Sequence, residues 1–159
     1  MALYLPKRNF DVLALSGAAV AHTGTTAETA LVSIVIPGGM MGANGALRIR
    51  SIVGVNNDAS AKSHVWRLGG VGGSILFNLN MANLASGSFE RFVCNRNNQS
   101  SQVTWVAANG NSFATTTTAA TTTAVNTAID QTLVLTSALG DAADTMTLEA
   151  YCVEIFRQN

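Results

Sequence analysis

The sequence predicts an all-β domain, an antiparallel β-sandwich of about eight or nine strands, and three observations carry that expectation. Apolar residues rarely recur at the three- and four-residue spacing of a helix face, while short runs rich in β-branched residues recur along the chain. Gly, Asn and Pro punctuate those runs at short intervals, which is the spacing of a sandwich or barrel. Charged residues supply only 11% of the chain against about 25% in an ordinary domain, so Thr, Ser, Asn and Gly must provide the polar surface.

In chain order the expected strands are Phe10 to Val20, Thr29 to Ile36, Ala46 to Val55, Ala61 to Leu68, Ser74 to Asn80, Ser86 to Asn95, Gln102 to Ala107, Gln131 to Ser137 and Thr145 to Arg157. The N-terminal stretch resembles a secretory signal, with Lys7-Arg8 preceding the apolar run Val12 to Ala21. Asp11 and Ser16-Gly17 interrupt that run, which is therefore read as a strand. Pro37-Gly38-Gly39 ends one strand, because Pro lacks a ladder donor, and Asn44-Gly45 is a tight-turn dipeptide. Asn56-Asn57-Asp58, Gly69 to Gly73, Asn97-Asn98 and Asn109-Gly110-Asn111 mark further turns. Ala114 to Thr123 is almost wholly Thr and Ala and reads as a long exposed connection or edge. At 159 residues the chain suits one domain spanning 1–159, with residues 1–9 as an extended arm. No run of 18 apolar residues is present, so no membrane helix is expected.

Nine basic residues balance nine acidic ones, which removes the net charge that keeps a monomer apart from its copies and points to a permanent oligomer. The basic residues are scattered, so no phosphate-binding surface is expected and nucleic acid is not a predicted partner. Arg48 and Arg50 share one strand face, read as a solvated edge. In the last strand, strict alternation from Met146 puts Met146, Leu148, Ala150, Cys152, Glu154 and Phe156 on one face and Thr147, Glu149, Tyr151, Val153 and Ile155 on the other. Both faces are apolar. Leu31 to Ile36 shows the same feature, and two apolar faces suggest one against the core and one against a second subunit.

Catalytic chemistry finds little material, and neither catalytic residues nor a cofactor or metal site is assigned. Of two histidines, His22 sits in a turn-like run and His64 alternates with Trp66 and Leu68 on a strand. No Gly-x-Ser-x-Gly elbow accompanies them. Glu149 and Glu154, five residues apart, should face opposite sides of a regular strand, and Asp141 with Asp144 reads as a capped turn. Asp141, Asp144 and Asn57-Asp58 offer oxygen ligands for Ca²⁺ but lack EF-hand spacing. Gly69 to Gly73 lacks the Lys-Ser/Thr of a phosphate loop and reads as a glycine-rich hairpin. Cys94 and Cys152 show no metal or redox spacing and read as free buried thiols. Trp105, before the polar loop Asn109 to Ser112, is the aromatic residue best placed to contact a ligand such as a glycan.

The run Thr26 to Arg50, with its Ile-Pro-Gly turn, Met-Gly-x-Asn-Gly turn and Leu-Arg-Ile strand, resembles tailed-bacteriophage virion proteins. Weaker echoes are Arg67-Leu68-Gly69-Gly70 and the terminal Leu148 to Arg157, while Asn95 to Asp130 matches nothing in that pattern. The resemblance implies a jelly roll on the outer surface of a virion. It would be a homotrimer bound to the major capsid protein, acting as head decoration or cement without catalysis. The alternative it implies is a receptor- or glycan-binding head fibre or tail tip.

Overall fold

The computed structural model describes residues 9–110 and 112–158, and every regular element among them is a strand. There are eleven: β1 (Phe10–Ser16), β2 (Val20–Thr23), β3 (Thr29–Ile36), β4 (Ala46–Val55), β5 (Lys62–Leu68), β6 (Ser74–Asn80), β7 (Ser86–Asn95), β8 (Gln102–Thr104), β9 (Thr121–Thr123), β10 (Gln131–Leu139) and β11 (Thr145–Phe156). The larger sheet runs β1-β11-β4-β7-β8-β9, with β2 also on β11, and the smaller runs β3-β10-β5-β6. The pairs β1·β11, β3·β10, β4·β7 and β5·β6 are all antiparallel and nest one inside the next along the chain. Nested pairs dealt alternately to two sheets make a jelly roll, so the fold is an antiparallel β-sandwich of that type.

The strand count exceeds expectation for two local reasons. The predicted first strand breaks at residues 17–19, where the Ser16 hydroxyl accepts a hydrogen bond from the Ala18 N–H at 3.0 Å, and resumes as β2. His22 therefore lies in a strand rather than a turn, buried, with its Nε2 3.2 Å from the Thr29 hydroxyl. The second addition is β9, at the end of the Thr/Ala stretch, which closes the larger sheet as a three-residue edge. The expected arm lies mostly outside the described residues. Asn9 is not part of any arm, because its carbonyl accepts from the Arg157 N–H at 2.7 Å.

Between the sheets, Leu47, Ile49 and Val53 of β4 and Val153 and Ile155 of β11 face Trp66, Leu68, Leu133 and Leu135, all fully buried. The Phe77 ring stands between Trp66 and Phe89, with centroids 4.8 and 5.0 Å away. Each such side chain contributes about 1.5–3 kcal/mol through burial. Gly45 allows a close approach, since a Cβ there would fall 1.8 Å from the Met41 carbonyl oxygen; its φ is not positive, so it does not form the tight turn expected of Asn44-Gly45. Gly69 and Gly70 do use positive φ, 98° and 88°, to close the β5–β6 hairpin.

Bulges overturn the strict alternation predicted for β11 and β3. In β11 the register slips between Leu148 and Ala150. Met146 and Leu148 point inward before the slip and Tyr151, Val153 and Ile155 after it, leaving Ala150, Cys152, Glu154 and Phe156 outward. An inserted residue inverts the parity of everything beyond it, so the faces assigned from the sequence hold only up to Leu148. In β3 a slip at Leu31 turns both Leu31 and Val32 toward the core. Only Val35 is left as a large exposed apolar residue on that strand, which removes the second apolar face inferred there.

Candidate functional site

The outer face of the larger sheet is built from the outward positions of four neighbouring strands. Register places Phe10 beside Phe156, Val12 beside Glu154 and Leu15 beside Cys152 along β1 and β11. On the other flank of β11, Arg48 meets Glu154 and Phe92, Arg50 meets Glu90 and Cys152, and Ile52 lies next to Ser88 and Ala150. Phe10, Val12, Leu15, Ile52 and Phe92 remain exposed, Leu15 at 71%. The rings form a cluster, with Phe156 6.1 Å from Phe10 and 5.7 Å from Phe92. Apolar side chains from four adjacent strands thus form one continuous exposed patch.

Two ion pairs lie on this face, and the exposed Glu149, its carboxylate beside Gly54, adds an acid outside them. Arg48 donates to both oxygens of Glu154 at 2.6 and 2.8 Å, and its guanidinium lies 5.2 Å over the Phe156 ring. Arg50 pairs with Glu90 at 2.6 Å. The Arg48 guanidinium, against the opposing effect of burial, holds the Glu154 carboxyl below its ordinary range. Arg48 and Arg50 do share a face, as expected, but on a central strand rather than a solvated edge, and each is already matched within its own sheet.

A hollow of about 420 Å³ opens on the same face, lined by Leu15, Arg50, Ile52, Glu90 and Tyr151 and rimmed by Phe113. Phe113 is 86% exposed. Its segment is tied down from below: the Ser112 hydroxyl accepts from the Glu90 N–H at 2.9 Å, and the buried Arg91 donates to the carbonyls of Glu90 and Asn109. Burial pushes the Arg91 guanidinium down to about 10, and it lies 4.6 Å over the Phe77 ring. No sequence signal identified Phe113; it stands in a loop with no periodicity to assign its direction.

The oxygen-bearing residues considered for Ca²⁺ are partly brought together, around a cation the chain itself supplies. Lys62, fully buried, donates to Asp58 and to the carbonyl and hydroxyl of Ser60, and lies 3.7 Å from Asp144. Asn56 and Ser60 also donate to Asp144, while Asp141 stays apart, its carboxylate accepting from the Ala143 N–H at 2.9 Å. The Lys62 ammonium, foremost among several donors, holds the Asp58 carboxyl far below the usual carboxylate range. Among the described residues no group of three or more His, Cys, Asp or Glu side chains is gathered to hold a metal.

His64 lies beside a serine hydroxyl, its Nε2 3.0 Å from the Ser51 Oγ, and that nitrogen also accepts from the Trp66 indole N–H at 2.7 Å. Ser51 and His64 are both buried, so this contact joins β4 to β5 across the core rather than facing substrate. Burial pushes the imidazole down to about 4, against a weaker raising effect from the Thr136 backbone, which keeps it neutral. Glu149 sits at the bulge, so the parity argument separating it from Glu154 does not apply; Glu154 is in any case held by Arg48. Cys94 and Cys152 are free but half-buried on the outer face, not buried in the core. Trp105 lies past the end of β8, half-buried, with its indole nitrogen turned inward.

No protein-family model matches the sequence, and no curated protein is similar to it at a meaningful level. Among solved structures, the chain is similar to one in "Structure of infectious bursal disease virus Gx strain", with a TM-score of 0.32 and 10% identity over 94% of this chain and 40% of that one. This chain therefore spans well under half the length of the chain it matches.

Proposed function

We propose that this protein is a non-enzymatic structural component of a tailed-phage virion, a decoration or cement protein on the outer surface of the head. It would assemble as a homotrimer and bind the major capsid protein. The single observation that carries a structural role is the outer face of the larger sheet, where exposed aromatic and aliphatic side chains surround ion pairs already closed on themselves. A face of that kind gains free energy by association, and both of its arginines are already paired, so neither is spare to bind phosphate. The phage assignment is supported by the resemblance of Thr26 to Arg50, carried on the jelly-roll frame. The chemistry within the chain agrees with a structural reading, because His64, Ser51 and Lys62 are buried and occupied in joining strands.

Purified particles test this directly. Quantitative mass spectrometry is expected to find the protein in several hundred copies per virion, and its absence from particles would end the proposal. A low, fixed copy number would instead favour a head fibre or tail tip.

A further inference from the structure

We infer that the outer face of the larger sheet is an interface between copies of this chain, in which Phe113 of one copy seats in the hollow between Leu15, Ile52 and Cys152 of another. The inference rests on the structural reading above and names the occupant of its surface. Three features point to a second copy. The face carries both halves of a fit, a projecting ring at 86% exposure and, beside it, a hollow of about 420 Å³. A surface bearing both knob and hollow is self-complementary: across a two-fold axis each copy lends its ring to the other's hollow, a contact that can join two subunits or two of the trimers proposed above. Two Arg and two Glu on it form two pairs and Glu149, beside Gly54, is an acid outside them, so identical faces approach with little net repulsion.

The size agrees. Four strands about 4.8 Å apart, with seven or more residues each rising about 3.3 Å, give a face roughly 20 Å by 25 Å, and covering it on two copies removes on the order of 1,000 Å². That reaches the lower range of specific interfaces, to which the projecting Phe113 adds area. Among the described residues the remaining exposed large apolar side chains, Val20, Val35, Val71, Leu84 and Ile129, come singly from separate segments and include no aromatic ring. None offers a comparable partner surface.

The test is the mass of the purified full-length protein in solution, by light scattering and sedimentation across a dilution series. The wild type should be a closed oligomer, and Phe113→Ser should raise its dissociation constant at least tenfold, as loss of a seated aromatic anchor does. Ile52→Glu, on the hollow side, should act in the same direction. Circular dichroism, and thermal melting at dilutions where both proteins are monomeric, should stay at wild-type values for Phe113→Ser, since that side chain is 86% exposed within its own copy. A monomeric wild type, or an oligomer indifferent to both substitutions, would overturn the contact. A protein that is monomeric in solution yet abundant in virions would sink this contact alone, whereas association through Phe113 by a protein missing from virions would sink only the virion role.

Discussion

The two sheets enclose one core but turn different faces outward. On the smaller sheet Glu28, just before β3, reaches over the strands: Arg67 donates to both its oxygens at 2.8 and 2.9 Å, and the Thr136 hydroxyl donates to it at 2.5 Å. Beneath this bridge Val65, Val134 and Thr136 are buried although they point away from the core. On the larger sheet the ion pairs lie flat between neighbouring strands, and Phe10, Val12, Leu15, Ile52 and Phe92 stay open to solvent. Arginine–carboxylate pairs thus serve opposite ends. Where the acid comes from a connection it covers apolar surface, and where both partners come from the sheet it leaves that surface bare.

Substitution can break this contrast. Val134→Asp should cost about 3 kcal/mol in denaturant unfolding, because it buries a carboxylate under the Glu28 bridge. Phe92→Asp, at an outward position of the larger sheet, should cost about 1 kcal/mol of monomer stability through the lost ring contact with Phe156, while weakening association. Equal costs at the two sites would show that the faces do not differ.

Acid should probe the link between the sheets. His64 is neutral in the fold with its pKa pushed to about 4, against an ordinary value of 6.5. The unfolded chain therefore binds a proton that the folded one refuses, and stability should fall as pH drops from about 6.5 to about 4, by up to about 3 kcal/mol. The lowered carboxyls of Glu28 and Glu154 act at more acid pH, because their unfolded values lie near 4.5. A pH series of urea melts should lose its slope between pH 5 and 6.5 in His64→Gln, and an unchanged slope there would clear His64. Glu28→Gln should cost about 1 kcal/mol, by weakening the charge-assisted bonds to Arg67. A loss no larger than that of Glu90→Gln on the larger sheet would show that bridging adds nothing.

Several elements were legible in the sequence with their bounds intact. Thr29–Ile36, Ala46–Val55, Ser74–Asn80 and Ser86–Asn95 emerge as strands because turn residues mark both ends. The site was legible in part. The apolar outer side of the last strand pointed to the larger sheet, but the residues assigned to it were partly wrong, since a bulge leaves no mark in a composition that is apolar on both sides. The buried Lys62 was not legible either, as Asp58 and Asp144 lie 86 positions apart and meet only when β10 leads into β11 beside β5.

By itself, the sequence determined that this chain makes strands and little else, because its β-branched runs and turn residues act over a few positions, and that its surface carries almost no spare charge. Tertiary structure alone decided which apolar residues stay outside. Bulges set the parity of each strand, and an acid on a distant connection covers one sheet while the other is left open. Both depend on which strands become neighbours, and no local pattern specifies that.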